Sequence, residues 1–429
     1  MLGLYSGVAA AHGRPPSLNQ LHFRGDVILA QGTFGLVRSD DGGQSFYTYC
    51  AAAYGVDARN LDPRILLGPN DRALVGTYDG LLQRNECSFS FPEPALEDQF
   101  VIDLVALDED VTRLLALRTD GSKPDQLFRS DDGGQSFEPL GPAIEDVLLE
   151  RVLTANGGTR IYLSGARPQR PDQSRAAFLF RSDDSGATFE RFSFPLLEGE
   201  RNLIILGAEG DTVFGQVLHF NGEFTPERLV VSRDGGETFT DVGGLVDIGG
   251  FAATSVGTLV GSRRGGLYRI DDGLERLSDI AVRCIGEHRG EVFVCADQTV
   301  DGFALARSAD GVAFEPMLRL EEIGIVPPCP DCSDVAITCE AWAPDLVYDL
   351  GIDAPLPPDF DPQGDVGAPR EVPLPVRCGG EGPSPGIAGG GCALARTRTR
   401  TVPTMLLLLI LLALRRRGGV ASRRTGGLQ

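Results

Sequence analysis

Lysine is nearly missing from these 429 residues: Lys123 is the only one, so the basic residues are almost all arginine and few flexible ammonium groups exist for chemistry. Histidine is scarce too. The four present, His12, His22, His219 and His288, are scattered, and the G-x-S-x-G text at 382–386, GPSPG, lies in a Pro/Gly-rich stretch rather than between a strand and a helix, so no nucleophilic catalytic set is spelled out. Positive charge is in deficit, with 39 basic residues against 60 acidic ones and a formal charge of −21. Eight arginines crowd into the last 37 residues with no acid among them, which leaves about −29 on the rest. A body so acidic repels phosphate backbones, and nucleic acid is excluded as a partner. Sustained helical periodicity is also absent between 19 and 320. In its place stand short β-branched or aliphatic runs bounded by Gly, Asp and Asn, as in LHFRGDVILAQGTFGLVRS at 21–39.

What is abundant is repetition. SDDGGQSF at 39–46 returns as SDDGGQSF at 130, SDDSGATF at 182 and SRDGGETF at 232. Weaker copies follow the same plan: DGLLQRNECSF at 79–89, GGLYRIDDGLERL at 265–277 and ALARSADGVAFEP at 304–316. Steps of roughly 37 to 52 residues suit four-stranded propeller blades rather than helical repeats. The fold predicted is therefore all-β, a seven-bladed β-propeller with blades near 19–49, 50–100, 101–141, 147–196, 200–244, 247–279 and 280–320. Six blades, with 247–279 absorbed into a neighbour, is the alternative.

Turn physics explains the octet. A hairpin between a blade's outer strands needs a residue tolerant of positive φ, which glycine supplies. The aspartate accepts backbone N–H groups inside the turn, the hydroxyls satisfy others, and the aromatic drops into the blade's apolar layer. Calcium is the rival reading of paired acids beside glycine, but the further acids and the bidentate Glu of an EF-type loop are missing. No metal and no cofactor are predicted.

The pattern S-x-D-x-G-x-[ST]-[FW] resembles the Asp-box, or BNR-repeat, family, which includes sialidases, sortilin-type ectodomains, some glycoside hydrolases and photosystem-assembly propellers. The matching aspartates are Asp41, Asp132, Asp184 and Asp234. The resemblance implies that these are structural and that any chemistry lies in the central channel. Sialidases carry an Arg-Ile-Pro motif, and the nearest text here, PRILL at 63–67, lacks that proline.

Nine cysteines occupy positions 50, 87, 284, 295, 329, 332, 339, 378 and 392. Setting Cys392 aside leaves eight, an even number suited to an oxidising compartment. Cys284 and Cys295 sit on two strands around a short turn and are expected to pair; Cys50 with Cys87 is a second expected bridge. In CPDCSDVAITC, zinc would need a second ligand pair beyond Cys329 and Cys332, and disulfides are the favoured reading.

Both ends read as addresses. Residues 1–18 resemble the end of a secretory signal, with small residues at Ala9, Ala10 and Ala11. Residues 321–349 form a Cys-rich extension, and 350–391, rich in Pro, Gly and acid, a stalk. In 392–429 a glycine-cysteine site at Gly391-Cys392, a hydrophobic segment Met405 to Leu414, read as a short helix, and Arg415 to Arg417 resemble the MYXO-CTERM sorting signals of myxobacterial surface proteins. That resemblance implies processing and anchoring at Cys392; an ordinary C-terminal membrane anchor is the alternative. In either case the body is exported and the tail meets the membrane.

Charged residues recur near the starts of the innermost strands: Asp62, Asp103, Glu150, Arg151, Arg201, Asp247 and Asp279. They are expected to ring one mouth of the channel. The function expected is non-catalytic binding of an extracellular protein or glycan. The alternative is a glycoside hydrolase with Asp103 and Glu150 as its carboxyl candidates.

Overall fold

A strand covered on both faces must be apolar throughout, and a strand at the rim need not be. The second strands obey the first condition: Val27–Gly32 and Ala73–Thr77 are buried along their whole length. Fourth strands obey the second, as in Glu138–Ile144, where the side chains are largely exposed. In the computed structural model, which describes residues 15–55, 62–91, 96–119, 123–168, 175–219, 225–353 and 355–356, this gradient recurs around the ring except in blade 1, whose fourth strand Tyr47–Cys50 is mostly buried. Expectations for the leader, most of the stalk, the hydrophobic segment and Cys392 fall outside these residues.

Seven antiparallel sheets of four strands each follow in strict chain order. The blades span 18–50, 64–90, 101–144, 148–194, 200–245, 248–278 and 282–318. The sixth is complete, with strands Ile248–Thr254, Gly257–Ser262, Leu267–Ile270 and Leu274–Ser278, which removes the six-bladed alternative. First strands of successive blades contact one another around the ring, the last meeting the first, so they line the central channel. Apolar clusters fill the spaces between blades, for instance Leu115, Leu117 and Leu127 with Ile161, Leu163 and Phe180.

Antiparallel order fixes two unlike faces. Connections from strand one to two and three to four lie on one face, which carries the octets. Connections from strand two to three, and from blade to blade, lie on the other. That second face holds the long connections, such as those between Ala166 and Ala177 and between Cys50 and Arg64.

Each octet folds as a closed turn. Asp41 Oδ1 accepts from the backbone N–H of Gln44 and Ser45 at 2.9 and 3.0 Å, and its Oδ2 accepts from the Ser45 hydroxyl. Ser39 Oγ accepts from Gly43 N at 2.8 Å and donates to Asp41. The same bonds recur around Asp132, Asp184 and Asp234. Asp310 holds a shortened version through Val312 N and Ala313 N. Phe46 and Phe137 are buried beneath their turns.

The ring is closed by the segment C-terminal to blade 7. All four strands of blade 1 come from the N-terminal side and all four of blade 7 from the C-terminal side, so no strand is shared across the seam. Instead Gly324 pairs with the outer strand of blade 1, donating to Phe46 O and accepting from Thr48 N. A helix, Asp334–Leu350, capped by Ser333 and Gly351, then packs on the same blade, where Val335, Cys339, Leu346 and Leu350 join the apolar cluster of Leu36, Val37 and Tyr49.

Disulfides fasten this clasp. Cys284 and Cys295 are bonded across adjacent strands. Cys50 and Cys87 are not bonded to each other, contrary to the expectation from sequence. Cys50 ends the outer strand of blade 1 and bonds to Cys339, whereas Cys87 sits at the outer hairpin of blade 2 and bonds to Cys329. The reason is ring closure, which lays the C-terminal extension across blades 1 and 2. Cys332 is also disulfide-bonded, so neither cysteine of the C-x-x-C is a free thiolate for zinc.

Candidate functional site

The channel mouth on the long-loop face is built by bulges. An innermost strand has one edge without a strand partner, and its polar groups must be satisfied otherwise. Near their starts, six of the seven first strands insert one extra residue: Asn19, Ile102, Glu150, Arg201, Gly249 and Arg283. A bulge twists the strand and re-aims neighbouring side chains. Side chains from the preceding blade then serve the exposed edges. Gln20 Oε1 accepts from Ile65 N at 3.2 Å, Asp103 Oδ2 from Val152 N at 2.9 Å and Ser164 Oγ from Ile205 N at 3.2 Å.

Asp103 is the centre of the mouth's charge. Its carboxylate is almost fully buried, with Arg64 Nε 3.6 Å from Oδ1 and Arg151 Nε 3.6 Å from Oδ2. Burial and the facing Arg151 draw the Arg64 guanidinium down to about 10, against the pull of Asp103 and Asp62. The side chain of Arg64 nevertheless keeps about a third of its exposure, as a group lining an open channel does. His22, on the first strand of blade 1, completes this cluster: burial and then Arg64 lower its imidazole to about 4, against Asp103, so it is neutral at pH 7.

A second pair stands beside it. Burial pushes the Glu150 carboxyl above its ordinary range, while Arg201 and Asn202 pull it back. Asp62 lies at the rim, where Asn19 and Gln31 donate to its Oδ1 at 3.4 and 3.3 Å.

Thus Asp103 and Arg151 meet directly, and Glu150 and Arg201 interact. Asp247 is engaged by Arg263 at 2.9 Å and Arg264 at 3.7 Å on its own blade. Asp279 stands out in solvent with Arg276. Neither joins the cluster. The sequence reasoning missed Arg64 and His22 as site residues. Arg64 begins the one first strand that lacks a bulge, inside the PRILL text, and its place one strand-start after Asp62 was the available signal.

The long-loop face also exposes apolar side chains. Tyr78, Phe91, Leu148, Leu197 and Val300 are all exposed there, and Tyr78 packs on Phe100 with ring centroids 4.2 Å apart.

No family model matches this sequence, and no curated protein matches it. Among solved structures, the extracellular domain of the putative hybrid two-component system BT4673 from B. thetaiotaomicron is similar at 15% identity and a TM-score of 0.49. The match covers 69% of this chain and 38% of that one, so the chain spans well under half of that domain. YCF48 from Cyanidioschyzon merolae matches at 14% identity and a TM-score of 0.34, over 51% of this chain and 71% of that one. The GH74 enzyme of Niastella koreensis matches at 12% identity and a TM-score of 0.29, over 73% and 72%.

Proposed function

We propose that this chain is an exported Asp-box propeller, held at the cell surface by its C-terminal tail, that binds an extracellular protein or glycan through the long-loop face without catalysis. The observation that carries the reading is the state of the mouth's carboxylates. Asp103, the most buried of them, is committed to Val152 N and lies between two arginines. A general base needs a free lone pair within reach of substrate. Glu150 is raised by burial but faces Arg201, which with Asn202 draws it back, so it is engaged by neighbours on its own side of the mouth. The exposed apolar side chains of Tyr78, Phe91 and Leu197 on the long-loop face support a docking surface. Disulfides support an oxidising compartment.

The test is an array of extracellular glycans and envelope proteins, probed with the full chain for retention and for hydrolysis. Retention that is lost in Tyr78→Ala/Leu197→Asp and kept in Asp132→Ala is expected. Turnover that disappears in Asp103→Asn or Glu150→Gln would replace this reading with the hydrolase.

A further inference from the structure

We infer that Cys332 is bridged to Cys378, and that this bridge moves the point where the tail pulls on the propeller from the end of the helix Asp334–Leu350 to the C-x-x-C turn. The mechanical half of this inference rests on the anchored reading above; the bridge itself does not. Among the described residues, six of the seven cysteines pair with one another: Cys50 with Cys339, Cys87 with Cys329 and Cys284 with Cys295. Cys332 is the seventh, and it too is disulfide-bonded. Its partner is therefore Cys378 or Cys392, the two cysteines outside the described residues. The chain divides into two compact units, residues 1–378 and 379–429, so Cys378 ends the unit that holds Cys332, whereas Cys392 belongs to the other. Forming the bridge takes two protons and two electrons from two thiols, and the electrons go to the disulfide-forming oxidant that the other three bridges already require.

The two cysteines of the C-x-x-C thus take different partners, and the turn that joins them is short and tied. Cys329 N donates to Pro327 O at 2.7 Å, and Ser333 N donates to Pro330 O at 2.9 Å. Cys332 is exposed and Cys329 half-buried, as suits a junction between a tail and a body. From Cys329 the covalent path forks. One branch crosses to Cys87 in the outer hairpin of blade 2. Arg84 ties that hairpin down, donating to Glu86 O at 2.8 Å, to Tyr49 Oη of blade 1 at 2.8 Å and to Asp71 O at 3.3 Å. The other branch follows the backbone past Gly324, which is bonded to blade 1, into the outer strand of blade 7, Glu315–Leu318.

Tension follows the shortest covalent route, because packing contacts yield singly while a disulfide holds. A pull on residue 379 passes through Cys378 and Cys332 to Cys329, and from there to blades 2 and 7, which flank blade 1. Without the bridge the same pull would enter at Leu350 and strip the helix from blade 1 as far as Cys339, uncovering Leu36, Val37 and Tyr49. With it, residues 333–377 form a closed side loop that carries no tension, and the helix keeps its cover over that apolar cluster. The free stalk then begins at 379 and not at 350.

Digestion of the unreduced full chain at acidic residues, followed by mass spectrometry, tests the bridge, because Asp331, Asp334, Glu340 and Glu381 separate Cys329, Cys332, Cys339, Cys378 and Cys392. A Cys332 fragment joined to the Cys378 fragment is expected. One joined to Cys392, or a free Cys332 thiol, overturns the proposal, and no variant has to fold for this result. Single-molecule stretching tests the route, with one tag inserted at Ser384 and the other in the connection between Ala166 and Ala177 of blade 4. The unreduced chain should show no lengthening before the propeller unfolds. Cys332→Ser/Cys378→Ser should first lengthen by about 100 Å or more, as roughly 40 residues between Cys339 and Cys378 are drawn out. That step in the unreduced original chain, or its absence from double-variant molecules whose propeller afterwards unfolds as the original does, overturns the route. Recovery of the chain free of the envelope would overturn the anchored reading and with it the mechanical half, while the bridge is decided by the digestion.

Discussion

Inside each octet one carboxylate gathers the donors that a tight turn leaves over. Asp41, Asp184 and Asp234 are each held down to about 2, first by the hydroxyl of Ser45, Thr188 or Thr238 and then by that residue's own backbone N–H. Asp132 and Asp310 are lowered in the same direction, Asp132 against partial burial and Asp310 first through Ala313 N. The sign is that of a depressed acid: the stabilisation is complete above the unfolded value of about 3.9 and disappears as pH falls through about 2. The melting temperature should accordingly fall between pH 4 and pH 2, and the fall should be shallower in Asp132→Asn/Asp234→Asn, followed by circular dichroism. These aspartates were legible in the sequence because every partner lies within four residues. Asp103 was legible only in part. Its position at a strand start could be read, but its partners Arg64, Val152 and Arg151 come from blades 2 and 4, and no local pattern pairs them.

Between neighbouring blades, the octets act as spacers as well as turns, and their two adjacent glycines have different duties. Gly42 and Gly43 both have positive φ, at 73° and 89°. A Cβ on Gly42 would meet nothing, whereas one on Gly43 would lie 2.3 Å from Met317 of blade 7. Gly236 likewise abuts Leu179 of blade 4, and Gly186 abuts Leu140 of blade 3. The chain itself supplies a control, because Ser185 occupies the first of these positions with φ 58°. Gly42→Ser should therefore change stability by at most about 0.5–1 kcal/mol. Gly43→Ser combines strain with a steric conflict and should cost about 1–3 kcal/mol or more, measured by urea unfolding. The blade count could be read because these turns repeat at regular steps. The bulges could not, since an inserted residue such as Glu150 or Arg201 has no distinguishing text. They shift the alternation that would otherwise say which side chain faces the channel.

At the scale of the whole ring, the seam between blades 7 and 1 is the weak point of a structure whose other joints are continuous in the chain. Phe23 of blade 1 packs against His288 and Phe293 of blade 7, and Arg289 pairs with Asp26, but no sheet crosses the seam. The clasp spans it covalently. Cys50 and Cys339 are 289 residues apart, but with Cys87–Cys329 in place the loop their bridge adds runs only over 50–87 and 329–339; Cys284–Cys295 closes one of 11, so loop entropy still predicts unequal contributions. Replacing Cys50 and Cys339 with alanine should cost about 4 kcal/mol, and replacing Cys284 and Cys295 about 2–3 kcal/mol, by denaturant unfolding. The reverse order would mean that the clasp does not restrain the unfolded chain. No sequence pattern announced the pairing of Cys50 with Cys339, because only the completed circle brings them together. The clasp also sets a timetable. Blade 1 is made first, yet the outer edge of Tyr47–Cys50 finds its partner only when Gly324 has been synthesised, and its bridge only with Cys339. Until then the nascent chain carries an open β-edge and an unpaired thiol through nearly 300 residues of elongation, so a newborn molecule is most prone to wrong pairings at the blade it completes first.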